Sequence, residues 1–137
     1  MKAVLDASVV VKWLLLDSDI ESDVDKALAL LNDVKRGEIL PIQPIHWLAE
    51  AAAMITRLQP QIARSSIELL HAMEFPVTDD LLVFNRAIRL AKDSKQHVFD
   101  TLYHAVALEE GAKLITADRK YYRKARRFGS LLRLEDY

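Results

Sequence analysis

The chain has 137 residues, 51% of them hydrophobic and 28% charged, which is enough for one packed core and too apolar for intrinsic disorder. Nineteen Lys and Arg against twenty Asp and Glu leave a formal charge of −1, which excludes a uniformly basic nucleic-acid coat. The absence of cysteine excludes disulfides, thiolate zinc sites and a cysteine nucleophile.

No apolar run approaches the ~18 residues of a membrane span. The opening MKAVLDAS is acidic too soon for a signal peptide. The expectation is therefore one soluble, cytoplasmic domain over residues 1–137. The charge is unevenly spread. RKYYRKARR, residues 119–127, holds six bases and no acid, whereas DSDIESDVD, residues 17–25, holds five acids and no base.

In chain order, Val4 and Leu5 predict a short buried strand ended by Asp6. A solvated acidic loop over 17–25 leads into a helix over 24–36, with Val24, Ala27, Leu28, Leu31 and Val34 at helical spacing and Gly37 as its stop. That loop starts like a calcium-binding loop, but Ser22 stands where the glycine is needed and Leu28 where the bidentate glutamate belongs, so an EF-hand is rejected. Ile39, Leu40 and Ile42 read as a second strand, weakened by Pro41. Pro44 is expected to open a long helix that Pro60 ends, followed by a helix from Gln61 to Met73. Phe75 to Val77 is a brief strand or a connection, and Thr78 or Asp79 is the expected N-cap of a helix running to Ala91. A helix from Val98 to Glu110 stops at Gly111, and KLIT, residues 113–116, forms a strand before Asp118. A basic helix then runs to Phe128 and Gly129, and LLRL makes a last strand. Short strands alternating with helices imply an α/β layered domain with a mostly parallel sheet.

In such sheets functional groups collect beyond the carboxyl ends of strands. Asp6 and Asp118 both stand there, although aspartate is also a common N-cap. In the helix carrying HWLAEAAAMITR, Ile45, Leu48, Ala52, Ile55 and Thr56 are expected to share the apolar face. His46, Glu50, Ala53 and Arg57 form a polar stripe that either lines a cleft or is simply solvated. Asp100 opens FDTLYHAVALEE, where the helix dipole favours a carboxylate, and His104 lies one turn further on. Four clustered carboxylates would repel one another unless a cation neutralised them, and Mg²⁺ or Mn²⁺ prefers such oxygens. Such a site suits phosphodiester hydrolysis. Ser8 and Thr116, each two residues from a candidate aspartate, either orient ligands and water or stabilise turns. Arg119, Lys120, Arg123, Lys124 and Arg126 are candidate phosphate contacts, and Tyr121 and Tyr122 either stack on bases or join the core.

Three stretches, VLDASVVVKWLL (4–15), HWLAEAAAMITRL (46–58) and FDTLYHAVALEEGAKLITAD (99–118), resemble the PIN-domain nucleases, most of all the VapC-type toxins of toxin–antitoxin pairs. The resemblance implies a central, mostly parallel sheet sandwiched by helices. It implies an acidic quartet of Asp6, Glu50, Asp100 and Asp118 that binds Mg²⁺ or Mn²⁺ and cleaves RNA endonucleolytically with water. It also implies a homodimer, silencing by a VapB-type antitoxin, and targets such as tRNA or rRNA. The apolar face of residues 24–34 and the Trp47 helix are candidates for partner contact or for core. His104 stands where the family more often has an apolar residue, so packing, a hydrogen bond or a part in proton transfer are all open.

Two other readings are carried. A binding module without catalysis gains nothing from clustered negative charge. A phosphatase using Asp6 as phosphoryl acceptor would need an aspartate where Ser8 stands. No G-x-S-x-G elbow, Walker loop, G-x-G-x-x-G or H-E-x-x-H pattern occurs.

Overall fold

The computed structural model describes residues 1–15 and 22–137, so Asp17, Asp19 and Glu21 of the acidic segment lie outside the described residues. Strand β1 (Lys2–Leu5) is central. Its apolar residues Ala3, Val4 and Leu5 are fully buried, as a strand covered on both faces requires. It pairs in parallel with β2 (Leu40–Pro41) on one side and β5 (Lys113–Thr116) on the other, and β5 pairs in parallel with β6 (Leu131–Arg133). The order β2-β1-β5-β6 gives a four-stranded parallel sheet flanked by helices. Pro41 is accommodated because β2 is an edge strand of two residues.

Between the strands run α1 (Ala7–Val10), α2 (Val24–Lys35), α3 (Trp47–Leu58), α4 (Ala63–Ala72), α5 (Leu81–Ser94), α6 (Val98–Glu110) and α7 (Arg119–Ala125), with short 3-10 turns between some of them. Helix α6 packs on both β1 and α5, and its residues from Thr101 to Ala107 are all buried. No helix among the described residues is long and apolar enough to cross a membrane.

Several expectations are corrected. Pro44 does not start a helix. It belongs to β3 (Gln43–Pro44), which pairs in parallel with β4 (Val77–Thr78), and α3 begins only at Trp47. The cap of α5 is neither Thr78 nor Asp79 but Asp80, whose carboxylate accepts the Leu82 N–H at 2.9 Å. In α3 the buried stripe is Trp47, Ala51 and Ile55, one step away from the expected face, while Ile45 and Thr56 are exposed. Of the two readings open for Trp47, core or partner contact, the structure favours core: it is buried against Phe75, with ring centroids 5.3 Å apart. In α2, Ala27 and Leu30 are buried and Leu28 is exposed.

One buried polar residue does the work of a missing strand. Beyond β2 the ladder alongside β1 ends, and the side-chain amide of Gln43 continues it. Leu5 N–H donates to Gln43 Oε1 and Gln43 Nε2 donates to the Leu5 carbonyl, both at 2.8 Å. The pairing fixes the last residue before Asp6. Leaving either Leu5 group unpaired in the interior costs about 1–3 kcal/mol.

Candidate active site

The carboxyl ends of β1 and β5 lie side by side, with Leu5 level with Ile115, so the chain leaves both strands at one place. Asp6, Asp100 and Asp118 line a small cavity there with Leu114, Thr116 and Tyr121. Glu50 lines the adjoining open hollow with His46, Ala49, Ala53 and Phe99.

Asp6 starts α1, yet its side chain does not cap that helix. Instead Ser8 Oγ donates to Asp6 Oδ2 at 2.5 Å and Thr116 Oγ1 donates to the same oxygen at 3.1 Å. Each hydroxyl is aimed by a backbone group. Ala117 N–H donates to Ser8 Oγ at 3.1 Å, and Asp118 N–H donates to Thr116 Oγ1 at 3.0 Å. Because these amides occupy the hydroxyl lone pairs, both hydroxyl protons turn to Asp6. The turn-stabilising and carboxylate-orienting roles of Ser8 and Thr116 are thus one arrangement. Burial raises the Asp6 carboxyl to about 6; the two hydroxyls oppose the rise, and the Glu50 and Asp100 carboxylates add to it.

Asp118 is exposed, and its Oδ1 accepts the Tyr121 N–H at 2.9 Å as the cap of α7. Asp100 lies in the first turn of α6, and burial, then Glu50 and Asp118, push its carboxyl above the ordinary range, against His97 and His46. Glu50 is held from both sides: His46 Nε2 stands 3.3 Å from Oε1, and Tyr103 O–H donates to Oε2 at 3.4 Å. The same His46 Nε2 donates to the Phe99 carbonyl at 2.7 Å, while its Nδ1 is buried without a partner among the described residues. Tyr103 is fully buried, and burial followed by the Asp6 and Glu50 charges raises its hydroxyl far above the ordinary value.

The four acids therefore share one field, and Asp6, Glu50 and Asp118 each accept hydrogen bonds from partners of their own. Among the described residues no three carboxylate or imidazole groups stand close enough together to hold one ion. In chemical terms the set fits a hard divalent cation. It offers carboxylate oxygens, Asp6 Oδ1 receives no hydrogen bond from a described residue, and the raised Asp6 and Asp100 carboxyls mark a place where added positive charge is favourable.

His104 lies outside this chemistry. It is fully buried, Nε2 donates to the Gly129 carbonyl at 2.7 Å, and Nδ1 accepts from the Tyr121 hydroxyl at 2.9 Å. Burial lowers its basicity, with the Gly129 bond opposing, which matches a neutral ring between one acceptor and one donor. Gly129, at φ 81° and ψ −178°, has a backbone conformation open to glycine almost alone. Tyr121 is core at its ring, lines the acidic cavity, and ties α7 to α6 through this bridge. In the basic segment, Arg119 pairs with Glu135 at 2.7 Å, whereas Lys120, Arg123, Lys124 and Arg126 are exposed and form no ion pair among the described residues. Tyr103, Gln43 and Phe99 carry the site without a motif of their own. Only the neighbouring DT and HA pattern of α6 would have directed attention to Tyr103.

No curated protein sequence is detectably similar to this chain. Among solved structures, PAE2754 from Pyrobaculum aerophilum matches with a TM-score of 0.66 at 18% identity, covering 99% of this chain and 91% of that one. A toxin–antitoxin complex from Klebsiella pneumoniae matches at TM-score 0.66 and 14% identity, covering 95% of each chain. VapBC2 from Rickettsia felis, bound to a DNA fragment from its promoter, matches at TM-score 0.66 and 15% identity over 97% of each chain. These likenesses carry the fold. The sequence model of the PIN domain matches residues 3–127, nearly the whole length, and this chain belongs to the PIN-domain family.

Proposed function

We propose that this protein is a metal-dependent endoribonuclease and the toxin half of a VapBC-type pair, with residues 1–137 acting as one cytoplasmic PIN domain. One observation carries the reading: three aspartates, two just past β1 and β5 and one in α6, line a single small cavity, and two hydroxyls orient one of them. Asp6, Asp100, Asp118 and Glu50 would hold Mg²⁺ or Mn²⁺, which when bound supplies Lewis acidity and a more acidic water. The chain's own residues do the rest. Ser8 and Thr116 favour the ionised form of Asp6 and fix its rotamer. His46 and Tyr103 orient Glu50 from opposite oxygens. Lys120, Arg123, Lys124 and Arg126, together with Arg119 at the start of α7, would meet RNA phosphates beside the cavity, the bases holding the strand and the acids holding the metal.

The toxin–antitoxin assemblies among the structural neighbours support an antitoxin partner, and an apolar groove is the surface proposed for it. Trp13, Leu14, Leu31, Lys35, Leu69, Leu70, Ala72 and Met73 line an apolar groove of about 380 Å³ between α2 and α4. Leu81 and Leu82, exposed at the start of α5, support pairing with a second copy. tRNA and rRNA are the substrates to examine first. A phosphatase that uses Asp6 as acceptor draws no support, since Ser8 stands where its second aspartate would be needed.

The test is cleavage of total cellular RNA by purified protein with Mg²⁺, with Mn²⁺ and with EDTA, alongside Asp6→Asn. Metal-dependent fragments absent from the variant establish the activity. Absence of cleavage together with absence of metal binding makes this a non-catalytic PIN domain.

A further inference from the structure

The hollow beside Glu50 is made of different material from the acidic cavity. Phe99, the residue before Asp100 at the start of α6, is 64% exposed, so its ring adds little to the core. Its backbone is nevertheless fixed, because its carbonyl accepts from His46 Nε2 at 2.7 Å. The His46 and Phe99 rings stand 5.8 Å apart, and with Ala49, Ala53 and Glu50 they line an open space of about 320 Å³. Two alanines and an exposed ring thus wall the space with small and aromatic side chains. Glu50 borders this space and also acts on Asp6 and Asp100, so the hollow adjoins the place where a phosphate would be cut.

We propose that the hollow is a subsite for one unpaired nucleobase flanking the cleaved phosphate, stacked on Phe99; the proposal rests on the endoribonuclease reading above. A phosphate is disfavoured there, because the Glu50 carboxylate borders the space, whereas the face of a base is neutral and apolar. Stacking on Phe99 reads no base edge, so that contact selects for an unstacked base rather than for a particular one. A base inside a duplex is stacked on its neighbours and cannot offer that face, so the contact requires the flanking base to be unstacked.

Binding of a short single-stranded oligoribonucleotide with 2-aminopurine at the flanking position tests this, in an Asp6→Asn background that keeps the RNA intact, beside cleavage by the parent. Phe99→Ala and Phe99→Leu are expected to weaken binding by about tenfold or more and to lose the fluorescence quenching of a stacked base, and Phe99→Trp is expected to keep both. The salt dependence should be unchanged in all three, since no phosphate contact is altered. Equal binding and quenching by Phe99→Ala and the parent, with the parent cleaving RNA, overturns the subsite alone. Phe99→Leu binding as tightly as the parent makes the contact merely apolar and also overturns it. A change of oligomeric state in Phe99→Ala with unchanged RNA affinity makes the face an interface between copies and overturns it likewise. A parent that neither binds nor cleaves RNA overturns both the endoribonuclease reading and the subsite.

Discussion

Asp6 and Asp118 stand in matching places, just past the carboxyl ends of paired strands β1 and β5, yet the protein treats them in opposite ways. Asp6 is half-buried and accepts hydrogen bonds from two side-chain hydroxyls, and its carboxyl is raised to about 6. Asp118 faces solvent and performs the ordinary task of a helix cap on Tyr121. One residue type at one kind of strand end thus becomes a strained charge or a comfortable one, according to what covers it. Stability is spent at Asp6 and gained at Asp118, a division expected where a cation is to be welcomed at the inner position.

The sharpest way to break that comparison is to neutralise each aspartate. Asp6→Asn is expected to lower cleavage by more than about 100-fold, beyond the losses seen when only outer partners of a metal ligand are removed. Its stability should move the other way. A carboxyl raised from its unfolded value to about 6 stabilises the fold at low pH and loses that contribution as pH rises through about 4 to 6. Asp6→Asn should therefore be more stable than the parent at pH 7.5, by on the order of 2–3 kcal/mol at most, and show no such gain at pH 4. Asp118→Asn, with an equally good cap, should stay within about 0.5 kcal/mol of the parent at pH 7.5. Chemical denaturation of both variants at the two pH values decides it.

Next in size, Ser8→Ala or Thr116→Val should cost about tenfold in cleavage and metal affinity. Each removes a bond that lowers the Asp6 carboxyl, so the acid limb of the pH–rate profile should shift to higher pH. Charge reversal at Arg123, Lys124 and Arg126 should reduce the slope of log K against log salt by about 2, at about 0.7 per single-strand phosphate contact. An unchanged slope would move the RNA path off α7. Smallest for catalysis is His104→Leu, which strands the Tyr121 hydroxyl and the Gly129 carbonyl and should destabilise by about 1–3 kcal/mol at pH 7.5. Because the folded state holds this histidine below its ordinary pKa, the parent loses stability as pH falls below about 6.5 and the variant should lose less, as thermal unfolding from pH 7.5 to 5 would show.

The elements that sequence alone makes legible are those governed by local chemistry. KLIT and the helix from Val98 to Glu110 appear in the structure with the boundaries that their composition implies, and Gly37, Gly111 and Gly129 all follow helices at positive φ. Long-range pairing is what sequence hides. Pro44 has a good preference for helix starts, but its place is decided by Thr78 on a distant strand. Gln43 looks like any polar loop residue until Leu5, 38 positions earlier, needs a partner for both backbone groups. Tyr103 and Glu50 are separated by 53 positions, and nothing local reveals their contact. His104 stands out in sequence on a small-residue face, but its neutral role depends on Gly129 and Tyr121 from the following elements.

The brevity of the sheet's margins has a further consequence. β2 exposes two residues, one of them a proline without an N–H, and β6 only three. Neither margin offers a long row of unpaired backbone groups on which a foreign strand could zip, which guards against edge-to-edge aggregation and against capture by strand addition. A protein that recognises this fold is thereby directed to side chains and the hollows between helices, where recognition is set by the sequence of each family member rather than by a backbone that all of them share.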